Sequence, residues 1–391
     1  MTAEETPASS TEDETTQAQT TTEVTTDATA DSQEAAPATE ALEWHAPVLV
    51  RIDEHTTIPH LLKERVQRGA TRPLILRKIG IGDTWRSITA REFYDEVHAL
   101  AAGLIARGLE PGDRVAIMSR TRYEWTLLDF ACWAAGLVPV PIYETSSIDQ
   151  VAHVLVDADV HLIITETVSM AEIVRAAAER ENRDNTHVLS LDSEAIETLI
   201  ADGSATPRER VLARSEALTK DDIATIVYTS GTTGTPKGTV LSHENFTNLC
   251  LNAHAWMPEI AAGKNSRLLL FLPLAHVFAR FLQVFQISGN GVLGHAPNIK
   301  NLLNDLASFK PSYLLVVPRV LEKIYNSADT KVSGPKRKIF RWAAKVAIAY
   351  SQALDTEEGP SASLKAQHAL ADKLVYQQII RLVGGNADYI V

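Results

Sequence analysis

The chain has 391 residues, with 37 Lys and Arg against 49 Asp and Glu, a formal charge of −12 and a hydrophobic fraction of 45%. That length and that fraction fit one large α/β body, or two to three ordinary domains, with a sizeable core. The acidic balance argues against a nucleic-acid binder, and two cysteines, Cys132 and Cys250, cannot build a disulfide framework and favour a reducing compartment.

The acid is concentrated at the start. Residues 1–41 carry ten acidic side chains, twelve Thr and no Lys or Arg, which leaves 37 basic and 39 acidic residues for the rest. Met1 and Val24 are the large apolar residues there. Such a segment cannot bury enough surface to offset its ordering entropy. Residues 1–42 are therefore expected to be a disordered, acidic, Thr-rich tail, either solubilising or partner-binding. The tail lacks the basic start and apolar stretch of a secretory signal, and the Arg-rich, acid-poor make-up of a mitochondrial presequence. The most apolar run, 268–279, is too short for a membrane span of about 20 residues and contains Pro273 and His276. A cytoplasmic protein is the expectation.

The body is expected to open near residue 43. Thr89-Ala-Arg-Glu92 spells a capping box. Behind it Phe93, Val97, Leu100, Ala101 and Leu104 recur at helical spacing, and Gly108 fits the stop. Then strands 115–118, 138–142, 161–164 and 187–191 alternate with helices 123–135, 148–156 and 169–180, with Ser147 as a cap. Alternation with short joints predicts parallel βαβ units with covered faces. A loop-rich stretch is expected at about 202–220, followed by strands 223–228 and 239–241 and a helix over 244–256. Strand 268–272 comes next. A helical stripe of Ile299, Leu302, Leu303, Leu306 and Phe309 follows, then strand 313–317 and a charged helical region from 335 to about 382. The expectation is an α/β body with sub-lobes at about 43–200 and 221–391.

The strongest local feature is Tyr228-Thr-Ser-Gly-Thr-Thr-Gly-Thr-Pro-Lys-Gly238. Thr229, Ser230, Thr232 and Thr233 supply hydroxyls after a buried strand. Gly231 and Gly234 let the backbone approach a ligand closely, so that successive N–H groups can form an anion-binding concavity. Lys237 adds a mobile positive charge, and Pro236 fixes the turn beside it. This composition suits a polyphosphate; a plain hairpin between Tyr228 and Val240 is the other reading. The order Pro236-Lys237-Gly238 is not that of a Walker P-loop.

With Val240-Leu-Ser-His243 behind it, this run resembles the signature loop of the adenylate-forming enzymes, the acyl-CoA synthetase and luciferase superfamily. Phe271-Leu-Pro-Leu-Ala-His-Val-Phe278 is similar to that family's Pro-x-x-His segment. Val317-Pro-Arg-Val-Leu-Glu-Lys-Ile-Tyr-Asn326 resembles long-chain fatty-acid CoA ligases in particular. Gly112-Asp-Arg-Val115 and Gly136-Leu-Val-Pro-Val-Pro141 fit the same amino-terminal domain. The likeness covers roughly residues 50–391 and implies the large amino-terminal domain of that family, incomplete.

The resemblance implies a two-step reaction. A fatty-acid carboxylate attacks the α-phosphate of ATP to give acyl-AMP and pyrophosphate, and the thiol of CoA then takes the acyl group. An anion must approach a triphosphate, so Mg²⁺, a lysine and oriented donors have to cancel the repulsion. The resemblance assigns nucleotide binding to Thr229, Ser230, Gly231, Thr232, Thr233, Gly234 and Lys237. It assigns catalysis to Lys237, Thr232 and His276. A buried structural histidine is the competing reading of His276. Arg319 and Lys323 are expected to form ion pairs with the adjacent Glu322, or else to touch phosphate or CoA.

The family's Tyr-Gly-x-Thr-Glu and Thr-Gly-Asp blocks do not occur before Val391. The small carboxy-terminal domain is therefore expected to be absent from this chain, which alone is expected to turn over little. Loading of an acyl carrier protein, or a non-catalytic nucleotide-binding module, are the alternatives.

Three patterns are set aside. Gly289-Asn-Gly291-Val-Leu-Gly294 matches GxGxxG, but it follows a helical stretch and precedes a strand, so a helix stop and turn is expected. The histidines and cysteines form no zinc motif, and no metal ligand is assigned. The basic run from Lys331 to Lys345 reads as a solvated helix face, or as a contact for anionic lipid at a membrane surface.

Overall fold

The computed structural model describes residues 47–80, 82–183, 185–229, 236–261, 263 and 266–390. The expected tail and the loop residues Ser230, Gly231, Thr232, Thr233 and Gly234 lie outside them. Helix α1 (Ile58–Gly69) begins where the Thr57 hydroxyl accepts from the His60 amide. It leads into β1 (Pro73–Lys78) and β2 (Trp85–Thr89). Helix α2 (Ala90–Ala106) starts at the expected capping box, with Thr89 and Glu92 each satisfying the other's amide. The alternating unit follows as expected: β3 (Arg114–Met118), α3 (Tyr123–Ala134), β4 (Val138–Ile142), α4 (Ile148–Asp157), β5 (Val160–Thr165), α5 (Val168–Arg180) and β6 (His187–Ser190). Ser147 and Gln150 form a second capping box at α4.

Residues 202–220 are not the loop expected. Helix α6 (Ala195–Asp202) ends there and α7 (Arg208–Ala217) fills most of it. Val211 is the buried residue of α7, so its helical stripe is too thin to stand out from its charges. Beyond lie β7 (Ile223–Thr229), β8 (Lys237–Ser242), α8 (His243–Trp256), α9 (Pro258–Ala261), β9 (Arg267–Leu270), α10 (Val277–Ser288) and β10 (Val292–His295). Then come α11 (Leu302–Phe309), β11 (Tyr313–Leu314), α12 (Pro318–Lys331), α13 (Gly334–Leu354), α14 (Ala362–Ala371), α15 (Gln377–Leu382) and β12 (Tyr389–Ile390). The strand expected over 313–317 is cut to two residues, because Pro318 opens a helix.

The first sheet has the order β4-β3-β5-β6, all parallel. Val115, Ile117, Leu162 and Ile164 join the cluster that holds α3, while Ala116, Met118 and Ile163 join the one that holds α4 and α5. That period of two covers both faces with helices. The second sheet has the order β2-β1-β10-β9, with β1 antiparallel to β2 and parallel to β10. It joins strands from both expected sub-lobes.

Every residue of α3 is buried. Three of them, Glu124, Thr126 and Asp129, are polar and need partners. The Thr126 hydroxyl donates to Gln283 Oε1 (2.7 Å), and Gln283 Nε2 donates to Asp129 Oδ2 (2.9 Å). Because the single Thr126 proton is used on Gln283, the 2.7 Å contact with His295 takes its proton from His295 Nε2. Arg280 Nη2 stands 3.0 Å from Asp129 Oδ1, with both side chains 0% exposed. This polar ladder ties α3 to α10 and to β10. Cys132 and Cys250 are both buried and free.

Two predictions follow from the packing. A Cβ on Gly103 would stand 1.8 Å from the carbonyl oxygen of Leu199, where α2 meets α6. Gly103→Ala should therefore cost about 3 kcal/mol through forced separation of the helices, read as a lower urea midpoint. His243 and His295 are held neutral by burial, each pushed down from 6.5 to about 4. The unfolded chain binds more protons between those values. Their contribution is thus complete above pH 6.5 and is lost as the pH falls toward 4, at about 1.4 kcal/mol per pH unit for each. His243→Gln should flatten that acid limb by about one proton in a urea series between pH 7 and pH 4.5.

Candidate functional site

Strand β4 reads Val-Pro-Val-Pro-Ile and forms one edge of the first sheet. Pro139 and Pro141 carry no N–H, so that edge cannot extend the ladder through them. Strand β7 is fastened beside it by side chains instead. The Thr225 hydroxyl donates to the carbonyl of Pro139 (2.7 Å), and Trp133 Nε1 donates to the carbonyl of Ala224 (2.7 Å).

Strands β7 and β8 form an antiparallel hairpin in which Thr229 faces Lys237 and Tyr228 faces Gly238. Both stems of the Gly- and Thr-rich loop are latched to α4. The Tyr228 hydroxyl donates to Asp157 Oδ2 (2.6 Å), and the carbonyl of Pro236 accepts from His153 Nε2 (2.8 Å). The two rings, His153 and Tyr228, meet edge to face with centroids 5.8 Å apart. Burial and then the bond to Asp157 push the Tyr228 hydroxyl above its ordinary range, so it stays a donor. A Cβ on Gly238 would stand 2.9 Å from Ile226 Cγ2 and 3.1 Å from Tyr228 Cζ. The absence of a side chain there lets the tyrosine lie across the hairpin to reach α4.

These stems border a cleft of about 320 Å³. Thr229 and Pro236 line it from the hairpin, Tyr143, Ser146 and Gln150 from the β4–α4 joint, and His276 from the far side. Thr229 and His276, 47 positions apart in the chain, thus share one cavity. Lys237 is exposed on the first residue of β8, directly after Pro236. Ser230, Gly231, Thr232, Thr233 and Gly234 lie outside the described residues. His276 is exposed, not buried. It caps α10, its Nδ1 accepting from the Phe278 amide (3.2 Å). In the neutral ring the proton therefore sits on Nε2. Tyr143 and Ser146 were not foreseen; the sequence signal nearest to them is the Ser147 cap.

The other expectations resolve differently. Lys323 Nζ donates to the carbonyl of Ile299 (3.1 Å), and among the described residues neither it nor Arg319 pairs with Glu322. Gly289 is the end of α10 and β10 follows it, so the GxGxxG match is a turn. Arg65, buried, donates to the carbonyls of Asn290 and Gly291 in that turn. In the basic run, Arg341 is paired with Asp329 at 3.0 Å, whereas Lys338 and Lys345 are exposed on α13.

Comparison with known proteins speaks to the family and the fold. The family model described as AMP-binding enzyme matches residues 62–366. The chain is 39% identical over 347 residues to the long-chain-fatty-acid–CoA ligase FadD15 of Mycobacterium bovis, covering 88% of this chain and 57% of that protein. It is 27% identical to long chain acyl-CoA synthetase 3 of Arabidopsis thaliana, covering 83% of this chain and 51% of that one. The chain thus spans little more than half the length of these relatives. Among solved structures, a Mycobacterium tuberculosis fatty acyl CoA synthetase superposes with a TM-score of 0.57 at 24% identity, over 69% of this chain and 51% of that one. VinN superposes with a TM-score of 0.58 at 18% identity, over 71% and 64%. At those identities the superpositions speak for the fold alone. By the match over residues 62–366, the chain belongs to the AMP-binding enzyme family.

Proposed function

We propose that this chain serves the ATP-dependent activation of a long-chain fatty acid to acyl-AMP and the transfer of the acyl group to CoA. The observation that carries the reading is the meeting of both flanks of the Gly- and Thr-rich loop, Thr229 and Pro236, with His276 in one cleft. In the first step a carboxylate oxygen bonds to the α-phosphorus and the bond to pyrophosphate breaks. Lys237 and the donors of Thr229, Ser230, Gly231, Thr232, Thr233 and Gly234 offset the repulsion between the two anions. Among the described residues no group of three or more His, Cys, Asp or Glu could hold a metal. Magnesium enters the proposal with ATP.

In the second step the CoA thiol gives its proton to water and its sulfur bonds to the acyl carbon, the carbon–oxygen bond to AMP breaks, and AMP leaves with the electron pair. His276 presents Nε2–H because its Nδ1 is engaged by the Phe278 amide. It is suited to donate to the acyl oxygen and not to take the thiol proton. The ligase names of its relatives favour CoA over a carrier-protein thiol as acceptor. The exposed Lys338 and Lys345 on α13 give the reaction a cationic face toward a cytoplasmic anionic membrane surface, where fatty acids partition.

Two outcomes are expected. Lys237→Ala should weaken binding of a non-hydrolysable ATP analogue by about tenfold or more, measured by titration with magnesium present. Unchanged affinity would refute the phosphate role of the loop. In the protein that forms acyl-CoA, His276→Gln keeps a donor and should retain more activity than His276→Phe, which should lose about a hundredfold in kcat. Equal losses would mean that donation from Nε2 is not what His276 contributes.

A further inference from the structure

The carboxyl ends of two parallel strand pairs converge on a second cavity, of about 280 Å³. Arg77 and Lys78 end β1 and His295 ends β10; Arg120 and Arg122 follow β3, and Glu166 follows β5. Strands β3 and β5 are neighbours, yet the chain leaves β3 for β4 on one side and β5 for β6 on the other. Such a reversal opens a crevice beyond the strand ends, where open α/β sheets seat ligands. This cavity shares no lining residue with the cleft at Thr229 and His276.

Its charges are sorted by depth. The carboxylates of Glu166 and Glu124 are 2% and 9% exposed, whereas the side chains of Arg77, Arg120 and Arg122 are 40%, 45% and 29% exposed. Burial would raise both carboxyls, but bonds from Arg120 to Glu166 and from Arg122 to Glu124 more than offset it and hold them below the usual range. They therefore stay charged and pin the guanidiniums. Arg120 spends Nε and Nη2 on Glu166. Arg122 spends Nε on Glu124 and Nη1 on Glu166. Arg77 spends Nη2 on Glu124 and lies over the Tyr123 ring, 4.7 Å from its centroid. Among the described residues, Nη1 of Arg120, Nη2 of Arg122, and Nε and Nη1 of Arg77 have no protein acceptor. Three held guanidiniums with spare N–H groups make an oxyanion seat.

A second, independent observation comes from the wall. His295 is 4% exposed and its Nδ1 is buried without a partner. Its proton is on Nε2, bound to Thr126, so Nδ1 is an acceptor. An acceptor that lines the same cavity as three guanidiniums suits an oxyanion that still carries a hydrogen. Hydrogen phosphate retains one near neutral pH, and a phosphate monoester retains one in its monoanion, with a second pKa of about 6; sulfate retains none.

We propose that this cavity binds hydrogen phosphate or a phosphate monoester, with its oxygens on Arg77, Arg120 and Arg122 and its P–OH on His295 Nδ1. Isothermal titration of the chain with inorganic phosphate, glycerol phosphate and sulfate tests it, with Arg77→Gln and Lys237→Ala as variants. Phosphate should bind at one site, sulfate about tenfold more weakly, and Arg77→Gln should weaken phosphate by about tenfold while Lys237→Ala leaves it within about twofold. Tighter binding of the ester, or of the free ion, supports the site and tells which source fills it. Equal sulfate and phosphate affinities, no phosphate heat up to about 20 mM, or a loss confined to Lys237→Ala would overturn it. Should Arg77→Gln fail to fold, protection of Arg120 from phenylglyoxal by phosphate, read by mass spectrometry of the unmutated chain, decides: protection supports the site, and its absence overturns it.

Discussion

An ion pair shut away from water sets the geometry of this molecule. Asp129 of α3 and Arg280 of α10 are both fully buried, and Gln283 and Thr126 extend their contact to His295 of β10. Neither charge has a solvated alternative inside the core, so each helix can settle only where the other completes it. Arg280 also stands over the Trp133 ring, 5.6 Å from its centroid, and Trp133 in turn holds the carbonyl of Ala224. One chain of contacts therefore runs from α10, through α3, to the root of the hairpin that carries the Gly- and Thr-rich loop. His276 caps the same α10. The stems Thr229 and Pro236 and the histidine are thus set in place through the core.

On the proposed function, that arrangement serves chemistry between anions. Binding a triphosphate next to a carboxylate requires donors whose positions do not relax when charge arrives. The hairpin meets this at its stems: Tyr228 and Pro236 are both bonded to α4, and Gly238 leaves room for the tyrosine to cross.

What could be read from the sequence, and what could not, follows from how local each signal is. Capping boxes at Thr89 and Ser147 lie within four residues and announced α2 and α4. Strands buried on both faces, such as β3 and β5, are short apolar runs and were equally plain. Strands β1 and β2 escaped because exposed and buried residues mix in them without strict alternation. Helix α7 escaped because Val211 alone is buried. The pairing of Ile75 with Leu293 joins positions more than 200 residues apart, and no periodicity encodes it. In the cleft, Thr229 and His276 stood out by motif, whereas Tyr143 and Ser146 are ordinary residues made relevant by the end of β4.

The same reasoning explains why the arginine cavity has no linear signature. Arg77, Glu166 and His295 come from three strand ends and the run Arg120-Thr-Arg-Tyr-Glu124 from a fourth, so no single stretch of sequence spells the site. Parallel strands bring their carboxyl ends to one side, and a change in winding direction opens a gap there. Charge collects at that gap because side chains beyond the strand ends are the ones free to reach it. The two cavities are then products of one rule applied twice: the cleft beyond β4 and β7 includes Thr229, Pro236 and His276, which belong to linear motifs, and is partly legible, while the crevice beyond β3 and β5 takes its residues from the ends of four strands and is not.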